Sequence, residues 1–312
     1  MKKIYYFVIA ALAAVSCTND EHQTTTVSGE NTLRINASIG EGKSTRAEKL
    51  AWQENDQIGV FVCNSTIDKP YLNNAERYVN VSFRHTGGGF IAGDIYLDET
   101  PAEVFAYYPY SASSSTGTAV AIESSTQTDY LYGKAETPAS ISQKNVTVAM
   151  KHALSQVVFK IKKAPEYTEG PCVLSSLKIE NNDATNTFRT AGTLNVATGE
   201  ITGTSNMGVL TLIPGASLTL TSEYQNVSSI CLPVTATAGQ NIRAVFTIDG
   251  RNFKFAFPAA TTWAPSTRNI YTLTVTNSGL EIGGGANGNT DGITIEPWGE
   301  ASGNDISLVP IL

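Results

Sequence analysis

The residue types that most often carry catalysis or bind metal ions are few in this sequence and stand apart from one another. Its three histidines, His22, His85 and His152, are isolated, and no cysteine pair has the C-x-x-C spacing of redox or zinc motifs. The carboxylates are scattered and form no evident acid–base pair. We therefore predict no catalytic residue, no metal ion and no cofactor, and we expect a protein that is not an enzyme. For His152, which precedes an apolar run, we expect structural hydrogen bonds.

The glycine-rich stretch 283–292 contains two strings that resemble ligand-binding motifs without their structural setting. Gly283, Gly285 and Gly288 have the spacing of a dinucleotide fingerprint, but no strand–helix–strand unit surrounds them. Residues 287–292 resemble the first half of a calcium loop, yet Trp298 stands where the closing glutamate belongs. The composition instead predicts a linker.

Cys17 follows a segment with the features of an export signal. Residues 1–3 include two lysines, and residues 4–14 form an apolar run shorter than the roughly 20 residues that cross a bilayer. The small residues before Cys17 resemble the bacterial lipobox, with Ala14 in place of the commoner leucine. An ordinary signal peptide followed by a chance cysteine is the alternative. We predict a lipoprotein signal peptide over residues 1–16 and a lipid such as palmitate on Cys17.

The net charge argues against nucleic-acid binding, and the surroundings of the cysteines argue against reactive thiols. Lys plus Arg is 21 and Asp plus Glu is 28, so the net charge is −7. Binding to a phosphate backbone needs a concentrated basic face, and we therefore predict no nucleic-acid partner. Cys63, Cys172 and Cys231 each adjoin an apolar run, which predicts buried and unreactive thiols.

Short alternating segments separated by turn residues dominate the rest of the chain, and no long amphipathic helix is evident. This pattern predicts an all-β fold of sandwiches or barrels. Asp249-Gly250 between two alternating runs is a hairpin signal. We expect strands at residues 33–39, 57–62, 78–83, 93–97, 103–110, 119–123, 129–133, 145–150, 154–162, 172–181, 192–196, 200–204, 208–213, 229–234, 242–249, 252–257, 270–276 and 293–298.

The first of these strands alternates strictly, with Leu33, Ile35, Ala37 and Ile39 on one face. The loop that follows it contains Arg46-Ala47, and an arginine in an exposed loop is an easy target for a trypsin-like protease. A second unusual segment lies at the other end of the chain. Ile306, Leu308, Pro310 and Leu312 share one face of an extended apolar tail, which needs a groove in its own domain or in another molecule.

The densest aromatic cluster is Phe105-Ala106-Tyr107-Tyr108-Pro109-Tyr110. Aromatic side chains can stack on sugar rings, so this cluster could bind a glycan. Alternation along a strand, however, places Phe105 and Tyr107 on one face and Tyr108 and Tyr110 on the other. We therefore favour a core role for one of the two faces.

Five segments resemble signatures of the fimbrillin family, the Mfa-like and FimA-like pilins of Bacteroidales. Their order and spacing span nearly the whole chain. They are residues 52–61 (WQENDQIGVF), 106–110 (AYYPY), 150–161 (MKHALSQVVFKI), 271–275 (YTLTV) and 295–298 (IEPW).

The resemblance implies a subunit of type V pili with two transthyretin-like β-sandwich domains in tandem. It also implies a lipoprotein on the surface of the cell outer membrane, from which an Arg-specific, trypsin-like protease removes a segment containing the first strand. The matching cleavage site is Arg46-Ala47, and the displaced strand contains Leu33, Ile35, Ala37 and Ile39. The partners would be other pilin subunits, bound by strand exchange.

The tail allows two interpretations. Ile306, Leu308, Pro310 and Leu312 could form the donor strand that enters the vacated groove of another subunit, or the tail could fold back onto its own second domain. Pro310 cannot donate a ladder hydrogen bond, so pairing there is at an edge or incomplete. On the first interpretation the regions are a signal peptide (1–16), a tether and removable strand (17–46), an N-terminal sandwich (47–142), a C-terminal sandwich (143–282) and a linker with the donor strand (283–312).

These expectations combine into one leading function and one alternative. The leading function is a structural subunit of a fimbrium that supports adhesion. The alternative is a surface lipoprotein that binds glycans and does not polymerise. The pairing of a cleavable arginine, a removable strand and an apolar tail favours the first, since a glycan-binding module needs none of these.

Overall fold

A computed structural model describes residues 32–40, 49, 51–182, 187–204, 208–214, 218–236, 242–258, 260–283 and 292–298, and the backbone of residues 305–310. The predicted all-β class is confirmed. In the described residues the helical elements are a 3-10 turn, Tyr71–Asn73, and α1, Ala75–Tyr78. None of the described helices is long and apolar enough to cross a membrane.

Strands from the first half of the chain close into a barrel in the order β1-β4-β3-β2-β5-β7-β8. Its core is apolar and contains Leu33, Val60, Phe83 and Val148, all fully buried. The strands of this half are β1 (Thr32–Ile39), β2 (Gln57–Cys63), β3 (Val81–His85), β4 (Phe90–Tyr96), β5 (Glu103–Tyr108), β6 (Val120–Glu123), β7 (Leu131–Lys134) and β8 (Asn145–His152).

Strand β8 alternates between exposed and buried residues along its whole length, as a strand with one face on a core does. It pairs with β1 on one side and with β7 on the other. The boundary predicted between residues 142 and 143 therefore separates β8 from the barrel in which it lies. In the structure the chain leaves the barrel after His152, because β8 is needed to close it.

The second half of the chain forms one large sheet in the order β18-β17-β10-β13-β23-β15-β9-β20-β21, with β14 beside β10 and β22 beside β20. Its strands, with the small accessory ones, are β9 (Ser155–Lys163), β10 (Val173–Asn181), β11 (Ala191–Leu194), β12 (Ile201–Gly203), β13 (Val209–Pro214), β14 (Leu218–Thr219), β15 (Gln225–Cys231), β16 (Val234–Thr235), β17 (Ile242–Ile248), β18 (Arg251–Ala256), β19 (Thr262–Trp263), β20 (Thr267–Val275), β21 (Leu280–Ile282), β22 (Ile293–Pro297) and β23 (Asp305–Pro310).

The two halves of this large sheet face each other across one core. Phe159 on β9 meets Phe246 on β17 edge to face, with ring centroids 4.9 Å apart. The predicted hairpin at Asp249-Gly250 is confirmed, since Ile248 pairs with Arg251 and both turn residues have positive φ, 48° and 75°.

A strand pair and a side-chain hydrogen-bond pair join the first half of the chain to the second half. Strand β6 pairs with β11, which in turn pairs with β12. The side-chain amide of Gln127 donates to the carbonyl oxygen of Ile230 at 3.0 Å and accepts from its N–H at 2.8 Å. Both halves lie within one compact unit.

The predicted strand 78–83 begins later than expected. Tyr78 ends helix α1, whose start is capped by the Asn74 side chain accepting from the N–H of Arg77 at 3.1 Å. Asn80 then has φ 52° and turns the chain into β3 at Val81. The cap and the turn override the alternating pattern here.

Candidate functional site

Strand β1 fills a space between two neighbours of opposite sense, which we call the β1 slot. It runs parallel to β8, with residues 34–39 opposite residues 145–150. It runs antiparallel to β4 at Thr32, Arg34 and Ile35. β1 therefore closes the barrel. Without β1, the edges of β4 and β8 would be unpaired.

The apolar face of β1 points into the barrel. Leu33 and Ile35 are fully buried, and Ala37 and Ile39 are half-buried against the same core. Burial of a leucine or isoleucine side chain contributes about 1.5–3 kcal/mol. The alternation predicted from the sequence is confirmed. The first half of the strand, with Leu33 and Ile35, is more deeply buried than the second.

Trp52, on the far side of the loop after β1, is fastened to this strand. Its indole N–H donates to the carbonyl oxygen of Ala37 at 2.6 Å. The ring packs edge to face on Phe90 at 4.8 Å and on Tyr108 at 5.5 Å. Gly89, with φ +122°, approaches so closely that a Cβ there would lie 3.0 Å from the carbonyl oxygen of Ile35.

The C-terminal tail lies in the chain's own second sheet, as in the fold-back alternative. β22 runs antiparallel to β20, with residues 293–297 opposite residues 267–271. β23 fills a space between β13 and β15, which we call the β23 slot. The first half of β23, residues 305–307, runs parallel to residues 226–228.

The second half of β23 pairs with the other neighbour only. Leu308, Val309 and Pro310 lie antiparallel to Pro214, Ile213 and Leu212. Each half of β23 is thus paired on one side. The β23 slot and the β1 slot both have one parallel and one antiparallel neighbour, and the incomplete pairing expected at Pro310 is observed.

Several predicted residues cannot be placed. The signal peptide 1–16, Cys17, Arg46, Ala47 and Leu312 lie outside the described residues, as do the side chains of Ile306, Leu308 and Pro310. Lys49 is the first described residue after the predicted cleavage site. Its N–H donates to Oδ2 of Asp129 at 2.8 Å, and its ammonium pairs with Asp56.

The structure joins three residues that sequence analysis left apart. Nδ1 of His152 lies 3.0 Å from both carboxylate oxygens of Asp129. The imidazole is stacked on the indole of Trp298, with centroids 4.6 Å apart and planes 5° from parallel. All three side chains are buried. The hydrogen-bonding role expected of His152 is confirmed, but nothing in the local sequence indicates its two partners.

The aromatic cluster on β5 belongs to the core, as favoured. Phe105 and Tyr107 are buried together with Phe61, and the Tyr107 hydroxyl donates to Oδ1 of Asn80 at 2.7 Å. Tyr108, on the opposite face, packs against the barrel core and Trp52. Little of this cluster is left to stack on a sugar ring.

The three thiols beyond Cys17 are free and buried, as predicted. Burial raises the pKa of Cys63 and of Cys231 to about 12, and the pKa of Cys172 to about 11. They are therefore protonated and unreactive at neutral pH. Within the described residues no group of three His, Cys, Asp or Glu side chains could hold a metal ion.

Comparisons with known proteins agree with this architecture. The chain is 24% identical over 314 residues to a Bacteroides uniformis protein assigned as fimbrium subunit Fim1C, covering 91% of this chain and 97% of that one. A crystal structure assigned as a cell adhesion protein of Bacteroides uniformis superposes with a TM-score of 0.60 at 21% identity, covering 86% of this chain and 98% of the other.

A second crystal structure, assigned as a cell adhesion protein of Bacteroides ovatus, has a TM-score of 0.59 at 21% identity and covers 86% of this chain and 97% of its own. The sequence profile of the fimbrillin-like family matches residues 45–298, most of the chain. The match begins just after β1 and ends at Trp298, so it covers the barrel beyond its closing strand and the second sheet up to β22. The chain belongs to the fimbrillin-like family.

Proposed function

We propose that this protein is a structural subunit of a type V pilus (fimbrium) that supports adhesion and assembles by strand exchange after proteolysis. The observation that carries the proposal is the likeness of the two slots. β1 and β23 each lie between one parallel and one antiparallel neighbour. A tail strand can therefore move from its own β23 slot to the β1 slot of another subunit without changing the sense of its pairing.

Proteolysis supplies the trigger for this exchange. While β1 is part of the same chain, its effective concentration at the slot exceeds that of any free strand. Cleavage between Arg46 and Ala47 makes β1 a separate peptide and removes this advantage. The edges of β4 and β8 and the pockets of Leu33 and Ile35 then become available to the tail of another subunit.

Pairing also favours the move. In the β23 slot each half of the strand has one neighbour. In the β1 slot residues 34–39 pair along β8, and residues 34 and 35 pair with β4 as well. A strand that moves to the β1 slot can thus make more ladder hydrogen bonds than it gives up, each contributing about 0.5–1.5 kcal/mol.

We infer that the barrel and the second sheet are two transthyretin-like β-sandwich domains in tandem. The edge-to-face contact of Phe159 with Phe246 across the second core supports a sandwich there. Before cleavage, the lipid on Cys17 would hold the subunit on the surface of the cell outer membrane. Afterwards the subunit would enter the fimbrium, with other pilin subunits as its partners.

The alternative, a glycan-binding lipoprotein that does not polymerise, has less support. Its candidate platform at residues 107–110 is largely occupied by the protein itself, since Tyr107 is buried and Tyr108 packs on Trp52. Retardation of the protein in glycan affinity gels, lost in Tyr108→Ala and Tyr110→Ala, would favour it.

The test is controlled cleavage of residues 18–312. Brief treatment with an Arg-specific, trypsin-like protease should cut at Arg46 and give a ladder of oligomers on unheated gels that collapses on heating, with fibres in electron micrographs. Arg46→Ala should remain uncut by this protease in the loop after β1, where the other basic residues, Lys43 and Lys49, are lysines, and it should stay monomeric. Arg46→Lys is the matched control, because trypsin cuts it and an Arg-specific protease does not.

Two outcomes would contradict the proposal. One is oligomerisation of Arg46→Ala to the same extent as the wild type. The other is complete cleavage after residue 46, in a pure and concentrated sample, with only monomers, since such a chain would have an open slot and a tail and yet fail to exchange. N-terminal sequencing of the product identifies the cut in either case.

A further inference from the structure

We propose that His152 is a positioning residue for strand exchange. Stacked on Trp298, it holds β22 on its own subunit, so that only the chain beyond Trp298 passes to a neighbour. This inference rests on the proposed function and narrows it: the exchanged segment is not the whole tail from residue 293, but the part that contains β23.

Trp298 is anchored where β22 ends. Its side chain is only 5% exposed, in a cluster with Ile122, Leu154 and Ile230 that joins the barrel to the second half. Its backbone N–H donates to the carbonyl oxygen of Ser266 at 2.9 Å. The strand before it is paired along its full length with β20. Leaving this position would expose a large apolar ring.

His152, which covers Trp298, is held once through its imidazole and once through its backbone. Asp129, 4% exposed, holds Nδ1 of His152 at 3.0 Å. The Ser266 hydroxyl donates to the carbonyl oxygen of His152 at 2.6 Å. Ser266 therefore contacts the backbone of both Trp298 and His152. We call the stacked pair the clamp; it joins the end of β8 to the residues just before β20 and just after β22.

The chain beyond Trp298 lies outside the contacts of the clamp. Residues 299–304 separate it from β23, and β23 is paired on one side at each position. Separation of the tail from its own subunit is thus easiest immediately after the clamp. A fixed exit point makes the length of the exchanged segment the same in every subunit.

The clamp also survives maturation. Asp129, His152, Ser266 and Trp298 all follow the predicted cleavage site at Arg46. The same Asp129 carboxylate accepts from the N–H of Lys49, which remains in the mature chain. The processed subunit therefore keeps every residue of the clamp.

Amide hydrogen exchange of the uncleaved chain tests the clamp without any assembly. In the wild type, the amides of residues 293–296 should exchange more slowly than those of residues 305–309. In His152→Ala and in His152→Asn, amide exchange at residues 293–296 should accelerate about tenfold, since the aromatic contact is lost. Ile295→Ala, on the exposed face of the same strand, is the matched control and should leave the exchange of its neighbours unchanged.

Amides of β5 should be unaffected in every variant, which distinguishes a loosened tail from a misfolded barrel. Trp298→Phe keeps an aromatic face and should retain most of the protection. Unchanged amide exchange at residues 293–296 in both His152 variants would overturn the role of His152.

Two engineered disulfides then locate the exchanged segment in the cleaved, assembling protein. Ile270→Cys with Thr294→Cys, at paired positions, locks β22 onto β20. Ile213→Cys with Val309→Cys locks β23 onto β13. The β22 lock should leave fibre yield equal to that of its reduced form, and the β23 lock should abolish fibres until reductant is added.

The outcomes separate this inference from the proposed function. If the β22 lock also abolishes fibres, the whole tail moves: the inference is overturned and strand exchange stands. If neither lock has any effect after mass spectrometry has verified both disulfides, the tail is not the donor. Both proposals then fail.

Discussion

The β1 slot and the β23 slot are alike in pairing sense and different in how completely they are filled. β1 pairs along β8 over residues 34–39 and also with β4, and two of its side chains are fully buried. β23 pairs on one side only at each position. The β1 slot therefore pairs with its strand on both sides at Arg34 and Ile35, whereas the β23 slot pairs on one side only at every position.

The comparison explains why proteolysis would be needed in one place and not in the other. β1 closes a barrel, so its loss exposes two strand edges and part of the core. β23 connects β13 and β15, each of which keeps a second neighbour, β10 or β9. A strand that is paired on one side in its own slot and could be paired on both sides in the other is suited to move between subunits.

Removal of residues 299–312 should have the largest effect, because it should abolish assembly. The truncated chain retains β22 and the clamp at Trp298 but lacks β23, so it has no strand to offer. After cleavage at Arg46 it should remain monomeric by electron microscopy and on unheated gels. Truncation after Ile282 should give the same result. Fibres from either truncated protein would contradict the assignment of the donor.

The apolar side chains of β1 should determine how firmly the β1 slot is filled. Leu33→Ala should lower the free energy of unfolding of the uncleaved protein by about 2–5 kcal/mol, because Leu33 is fully buried in the barrel core. Urea denaturation measures this change. Ser38→Ala, exposed on the same strand, is the matched control and should stay within about 0.5 kcal/mol of the wild type.

Trp52 should stabilise β1 in its slot less than Leu33 does. Trp52→Phe removes the hydrogen bond to the carbonyl oxygen of Ala37 and keeps an aromatic ring, so the uncleaved protein should lose about 1 kcal/mol. After β1 is removed by cleavage, the same substitution should have a smaller effect. An equal loss before and after removal of β1 would show that the effect comes from packing on Phe90 and Tyr108.

Asp249 provides a comparison in the second sheet, away from both slots. Burial opposes ionisation of its carboxyl group, but hydrogen bonds from the N–H groups of Val173 and Cys172 and from the Tyr167 hydroxyl hold its pKa below the usual value. Asp249→Asn should cost about 1 kcal/mol at pH 7, since solvent partly screens the site, and fibre assembly should be unchanged.

The pH dependence of this cost has a definite sign. A carboxyl group whose pKa is lowered by folding stabilises the protein above its unfolded pKa, about 3.9, and the contribution is lost as the pH falls through the lower folded value. The difference in unfolding free energy between wild type and Asp249→Asn should therefore shrink as the pH falls below about 4. A constant difference would show that the turn geometry, and not the charge, is responsible.

Local patterns in the sequence predicted much of this molecule. Strict alternation at Leu33, Ile35, Ala37 and Ile39 gave the strand and its inner face, and Asp249-Gly250 gave its hairpin. Both features depend on neighbouring residues and backbone preference alone. The start of β3 was misplaced because a helix cap at Asn74 and a turn at Asn80 compete with alternation over the same few residues.

The sequence by itself therefore determined the all-β class, the faces of the strands and the family. Only the tertiary structure decided which strands are neighbours. The parallel pairing of β1 with β8, the position of β23 between β13 and β15, and the stacking of His152 on Trp298 all join residues far apart in the chain. Alternation specifies that a strand has an apolar face, but many apolar faces can cover one another. The choice among them is made by the closure of the barrel and the packing of whole sheets.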